Sequence, residues 1–152
     1  MKRRWGIQGE QPQVKSAPTR AKIGYFGLVN MCTGALFTKP AEKFKQDTFI
    51  DFLETALTDT KGKLIIILDN ARWHHAKGIQ QFVSENGDRL CLLFLPPYSP
   101  ELIPIERVWR LTRCLVTHNV YFPTLSKLAE TLRKQFRVWN KANATLRTLC
   151  AI

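Results

Sequence analysis

The sequence has no apolar run near the roughly 18 residues that a membrane span needs. Its opening Met1-Lys2-Arg3-Arg4 leads into Trp5-Gly6-Ile7-Gln8 and not into an apolar signal core. Both features argue against a membrane-embedded or exported protein and point to a soluble, cytoplasmic chain. Cysteine is sparse: Cys32, Cys91, Cys114 and Cys150 show no paired zinc-type spacing, so reduced and mostly buried thiols are expected. Internal repeats and low-complexity tracts are absent. Acidic residues are scarce, with 12 Asp and Glu against 23 Lys and Arg, a net charge of +11. From Arg107 onward Glu130 alone faces Arg107, Arg110, Arg113, Lys127, Arg133, Lys134, Arg137, Lys141 and Arg147. Such an imbalance favours a polyanionic partner, nucleic acid first, over the alternative of a basic protein with solvated charged faces.

With 152 residues, 45% of them apolar, the chain can fill one core. Residues 1–20 are polar and basic, broken by Gly6, Gly9, Pro12 and Pro18, and read as an irregular arm. Residues 21–152 read as one α/β domain. Lys22 to Val29 and Ala35 to Thr38 are β-favouring runs around a turn in which Gly34 can take a positive φ, which predicts a hairpin. Phe49, Phe52, Leu53, Ala56 and Leu57 recur at helical spacing behind Asp47, an expected N-cap. Leu64-Ile65-Ile66-Ile67-Leu68 is an unbroken apolar run, as expected of a strand covered on both faces. A helical stretch from about Ala76 to Asn86 and a second apolar run, Leu90 to Leu95, complete a strand–helix–strand crossover.

Such crossovers join parallel strands in a right-handed sense, so the C-terminal ends of both strands lie on one edge of the sheet, where open α/β sheets bind ligands. Asp69 ends the first strand. Past the second, Pro96-Pro97-Tyr98-Ser99-Pro100 cannot continue a central strand, and Pro104 suits the first turn of a helix running to about Thr117. Glu106 falls in that opening turn, Val108, Leu111 and Leu115 face inward, and Glu106, Arg110 and Arg113 share another face. A final helix carries Leu125, Leu128, Ala129, Leu132, Phe136 and Trp139 on one stripe.

Two carboxylates at one sheet edge repel each other, and a hard ion such as Mg²⁺ or Mn²⁺ relieves the repulsion. Two such ions about 4 Å apart suit in-line displacement at a phosphodiester. Taken singly, both residues have plainer readings. Asp69-Asn70 is ordinary turn chemistry, and Glu106 suits a helix N-terminus with Arg110 four residues on. His74 and His75 read as turn or surface histidines, and Trp73, Trp109 and Trp139 as packing residues.

The stretches Leu68-Asp69-Asn70-Ala71-Arg72-Trp73-His74 and Leu95-Pro96-Pro97-Tyr98-Ser99-Pro100-Glu101-Leu102-Ile103-Pro104-Ile105-Glu106-Arg107-Val108-Trp109 resemble the second and third catalytic blocks of insertion-sequence transposases of the mariner-like superfamily. The resemblance runs from Trp5 to the final helix, and the 37 positions between Asp69 and Glu106 are close to that family's spacing. It implies a ribonuclease-H-like mixed sheet flanked by helices. It also implies metal-dependent strand cleavage and strand transfer at transposon ends, with Asp69 and Glu106 as catalytic metal ligands and Mg²⁺ or Mn²⁺ as cofactor. The implied partner is DNA, both transposon ends and target, which would make a bacterial chain nucleoid-associated. His74 matches a recurrent family position. Arg72, Arg107, Arg110 and Arg113 are expected phosphate contacts from their predicted faces, independently of the family.

Two departures from the family pattern qualify the expectation. The family carries its first catalytic Asp on a first strand shortly before a Trp and a Gly-Glu-Gln-Pro-like stretch. Here Trp5 and Gly9-Glu10-Gln11-Pro12 are present, but no carboxylate precedes them. Asp47 and Asp51 do not substitute, since they fall on the cap and solvent face of a helix. The second departure is Ile103, where the family usually has Asn. The expectation is therefore a partial catalytic domain, first strand missing or incomplete and inactive alone, completed by an upstream polypeptide that supplies the Asp. Its bared strand edges would suit a homodimer. The alternative is a non-catalytic nucleic-acid-binding module or decayed transposase remnant.

Overall fold

A computed structural model describes residues 22–96 and 102–151; the expected N-terminal arm lies outside the described residues. Strands β1 (Gly24–Val29) and β2 (Leu36–Ala41) form the expected antiparallel hairpin, in register from Gly24 opposite Ala41 to Val29 opposite Leu36. Asn30 organises its turn by accepting the Cys32 and Thr33 amides on Oδ1, each at 2.9 Å. Gly34 closes it at φ 71°, and a Cβ there would also strike the carbonyl of Asn143. Pro40, which has no N–H to donate, sits on β2, an edge strand among the described residues.

Helix α1 (Gln46–Asp59) buries Phe49, Phe52, Leu53, Ala56 and Leu57, the stripe that its periodicity predicts. Its N-cap is Lys45 and not Asp47: the Thr48 hydroxyl reaches back to accept the Lys45 amide at 3.1 Å, which leaves Asp47 inside the first turn. The crossover is also present. Strand β3 (Leu64–Leu68) pairs in parallel with β4 (Leu90–Phe94), and α2 (Lys77–Glu85) connects them.

Helix α3 (Pro104–Thr112) runs into a π turn (Arg113–Thr117), followed by α4 (Leu125–Trp139) and a short α5 (Ala144–Cys150) that the periodicity did not reveal. The wider π turn overturns one inward position. Leu115 is 60% exposed and Val116 is buried in its place, because the i→i+5 hydrogen bonding of the π turn, as from the His118 amide to the Arg113 carbonyl, widens the turn and rotates the stripe.

Two cores result. Phe26, Phe49, Phe52, Leu53, Leu57, Ile66, Ile79 and Leu90 fill one, with α1 and α2 over the strands. Leu36, Val108, Val116, Leu132, Phe136, Trp139, Leu146 and Cys150 fill the other. The β1–β2 hairpin lies between them: Phe26 and Leu28 point into the first core, while Tyr25 and Val29 pack on the second. The β3–β4 pair departs from expectation. Its Ile66 face is buried, but on the reverse face Ile65 is 60% and Ile67 42% exposed. Cys91 shares that bare face, and Cys32 is exposed as well, so only Cys150 is a buried thiol. Among the described residues the two strand pairs form separate two-stranded sheets. No helix among them is long and apolar enough to cross a membrane.

Candidate active site

The Leu95 amide donates to the Leu68 carbonyl at 2.9 Å, extending the parallel ladder to its C-terminal limit. Asp69 therefore leaves β3 beside the segment leaving β4, and its side chain is 54% exposed. A short 3₁₀ turn, Arg72–His75, then folds back. His74 is a turn residue, as one of its two expected placements has it, but the turn carries it into the interior, where it is 7% exposed, and not to the surface. The His74 ring stacks on Phe49 with centroids 5.1 Å apart and lies 3.8 Å from the Trp73 ring.

His74 Nδ1 stands 3.0 Å from Asp69 Oδ1 and 3.2 Å from the Asp69 carbonyl oxygen. Both neighbours are acceptors, so Nδ1 carries the proton and donates. Burial pushes the His74 pKa below its ordinary value, outweighing the opposing pull of Asp69. The ring is neutral at pH 7, and its contact with the carboxylate is a hydrogen bond and not an ion pair. Next to it, His75 Nε2 meets Asn70 Oδ1, and the His75 ring lies 4.4 Å from Phe94 at the end of β4.

Glu106 occupies the first turn of α3, with Pro104 starting the helix as expected. The N-cap is Ile103, whose side chain can accept nothing; the Glu106 amide bonds only back to the Ile103 carbonyl, at 3.1 Å. Among the described residues the exposed Glu106 carboxylate has no hydrogen-bond or ion-pair partner, Arg110 included. Val108 is fully buried on the opposite side of the helix. Ile105 and Trp109 lie so close over Gly27 of β1 that a side chain there would collide with the indole.

Strand β1 thus touches both halves of the site. Phe26 faces the Asp69 side, with its ring 6.4 Å from that of Trp73, and Gly27 lies beneath the helix that carries Glu106. The expected phosphate-binding arginines divide. Arg72, Arg110 and Arg113 are exposed. Arg107 turns to α5, donating from Nη1 to the carbonyls of Leu149 at 3.1 Å and Ala151 at 2.9 Å. Of the nine C-terminal bases, Lys127 and Lys134 bracket Glu130 at 3.0 and 2.8 Å and hold its pKa down to about 2.

Trp73 and Trp109 are packing residues and Trp139 is buried, in line with their plainest reading. His74 is the site residue that sequence reasoning underrated. The available signal was its place directly after Trp73 and five residues beyond Asp69, on a turn short enough to fold back. Among the described residues no group of three or more His, Cys, Asp or Glu is arranged to hold a metal ion.

Residues 1–129 match the family described as DDE superfamily endonuclease. An insertion element IS630 uncharacterized 39 kDa protein from Shigella sonnei is 24% identical over 131 residues, 85% of this chain and 38% of that protein. An uncharacterized protein, y4pE/y4sA, from Sinorhizobium fredii is 40% identical over 55 residues, 36% of this chain and 37% of that protein. The chain therefore spans well under half the length of these curated relatives. Among solved structures, the Mos1 strand transfer complex is similar with a TM-score of 0.72 and 15% identity, over 98% of this chain and 45% of that one. The Mos1 mariner paired end complex with Mn gives 0.70 and 16%, over 98% and 46%. The fold is the ribonuclease-H-like α/β fold of those catalytic domains.

Proposed function

Because the chain belongs to the DDE superfamily endonuclease family, we propose that it is the greater part of a DNA transposase catalytic domain, acting on phosphodiesters at transposon ends. The observation that carries this reading is the state of Asp69. It is an exposed carboxylate at the C-terminal edge of a parallel strand pair, held on one oxygen by a buried neutral donor and open on the other. Asp69 and the unpartnered Glu106 supply the hard oxygen donors that Mg²⁺ or Mn²⁺ prefers, so the residues fit such an ion. The chemistry that a bound pair of ions supplies is activation of the attacking oxygen and stabilisation of the leaving one. The exposed Arg72, Arg110 and Arg113 hold the DNA backbone. Arg107 contributes by anchoring α5 behind α3.

The working site is cytoplasmic, on DNA. Calorimetric titration of Mn²⁺ into the chain and its Asp69→Ala and Glu106→Ala variants tests the shared site: both substitutions should abolish binding, and retained binding in either would sink it.

One observation favours a second reading, a non-catalytic DNA-binding module: the C-terminal half is strongly basic. That protein would bind DNA in a salt-sensitive way, without metal, and unchanged by Asp69→Ala.

A further inference from the structure

A carboxylate that directly follows a strand is free to rotate, and a rotating ligand binds metal poorly; second-shell hydrogen bonds are the usual remedy. Asp69 has such a bond from within its own turn. The 3₁₀ turn Arg72–His75 is held by the His74 amide donating to the Ala71 carbonyl at 3.0 Å and the Ala76 amide donating to the Trp73 carbonyl at 3.2 Å. It aims the His74 ring back at Asp69. Two aromatic neighbours, Phe49 of α1 and Trp73, limit the ring's rotation. One N–H then faces two oxygens of a single residue, the carbonyl at 3.2 Å and Oδ1 at 3.0 Å. Sharing the donor in this way ties the backbone of Asp69 to its side-chain rotamer, fixing both together.

We propose that His74 is a positioning residue for the Asp69 carboxylate, clamping Oδ1 so that Oδ2 is presented to the ion in a single orientation. The proposal rests on the reading of Asp69 as a metal ligand. It also gives the aromatic cluster a task beyond packing: through Phe49, α1 sets the orientation of a carboxylate that directly follows β3. His74 is not a ligand through Nδ1, because that nitrogen carries the proton that Asp69 accepts.

Two substitutions in the full chain separate clamping from packing. His74→Phe keeps an aromatic ring against Phe49 and Trp73 and removes the donor. His74→Asn keeps a donor near the Nδ1 position and gives up the packing. The expected result is Mn²⁺ affinity weakened by about 10- to 100-fold in His74→Phe with a melting temperature near that of the unaltered chain. His74→Asn should show the reverse, a lower melting temperature with affinity within a few-fold. Wild-type affinity in His74→Phe, alongside loss of binding in Asp69→Ala, overturns the clamp while leaving the metal site standing.

If the unaltered chain binds no Mn²⁺, it is the ligand reading that fails, and the clamp is then read by NMR without metal. Long-range proton–nitrogen correlation on the unaltered chain should show His74 protonated at Nδ1. The Hα–Hβ couplings of Asp69 should report one rotamer there and averaging in His74→Phe. A proton on Nε2, or averaged couplings in the unaltered chain, overturns the inference.

Discussion

The two strand pairs of this protein differ in composition and in surroundings, and the more apolar one is the less covered: β2 carries Thr38 and Lys39, whereas β3 and β4 are apolar throughout. The β1–β2 hairpin lies between two cores, with Phe26 and Leu28 on one side and Tyr25 and Val29 on the other. The β3–β4 pair packs on α1 and α2 by its Ile66 face and leaves Ile65, Ile67, Cys91 and Leu93 exposed. An apolar strand therefore does not announce how many of its faces are covered. Asp69 leaves from the half-covered pair, and its orientation comes from the aromatic side of that pair, where Phe49, Trp73 and His74 meet. The hairpin between the two cores does the joining, in contact with the Asp69 turn through Phe26 and with α3 through Gly27.

The sharpest way to break this contrast is to truncate one residue on each side of it. Phe52 stacks on Phe26 and Phe37 of the hairpin at 5.1 and 5.5 Å and is fully buried. Phe52→Ala should cost about 3–5 kcal/mol in urea unfolding. Ile65→Ala, on the bare face, should cost about 0.5 kcal/mol or less. A cost of several kcal/mol for Ile65→Ala would mean that this face is covered in solution.

A smaller effect, of opposite sign, is expected at the start of α3. Ile103 cannot cap the helix, while an Asn there could accept the amide of Glu106, three residues on. Ile103→Asn should raise stability by about 1 kcal/mol and tighten Mn²⁺ binding by ordering the turn that carries Glu106. A lower melting temperature would show that the apolar contacts of Ile103 outweigh the cap.

The smallest effect should appear with pH. His74 in the fold binds its proton less readily than the ordinary value of 6.5, because burial disfavours the cation. The unfolded chain therefore takes up the proton first as pH falls. Stability from this group is fully present above 6.5 and declines below it, down through the depressed folded value. Urea midpoints at about pH 7.5 and about pH 5.5 should differ in that direction, and His74→Phe should flatten the difference. A midpoint that rises on acidification would contradict the neutral buried ring.

Local pattern was enough for several elements. The spacing of Phe49, Phe52, Leu53, Ala56 and Leu57 could only bury one side of a helix, and Pro104 could only begin one. Two apolar runs flanking a helical stretch required a parallel crossover, which places Asp69 at a sheet edge whatever else surrounds it. Other features depended on partners distant in the chain or on hydrogen-bond choices that the residues leave open. Asp47 was a reasonable cap, but the Thr48 hydroxyl competed for the same end of the helix. Leu115 had helical spacing, but the π turn turned Val116 inward. Arg107 looked like its neighbours on α3, and only the position of α5 gave its guanidinium two carbonyls to hold.

The sequence by itself determined the order of the strands and of the helices as far as α4, the parallel crossover, the placement of Asp69 after β3 and of Glu106 in the first turn of α3, and the basic character of the C-terminal half. These follow from periodicity, from proline and glycine and from charge, all of which act within a few residues. Tertiary structure alone decided which strand faces are covered, that His74 is buried against Phe49 and bonded to Asp69, and that β1 touches both motif-bearing segments. Those outcomes depend on side chains that meet across α1, β1 and β3, and no local pattern encodes where such distant residues pack.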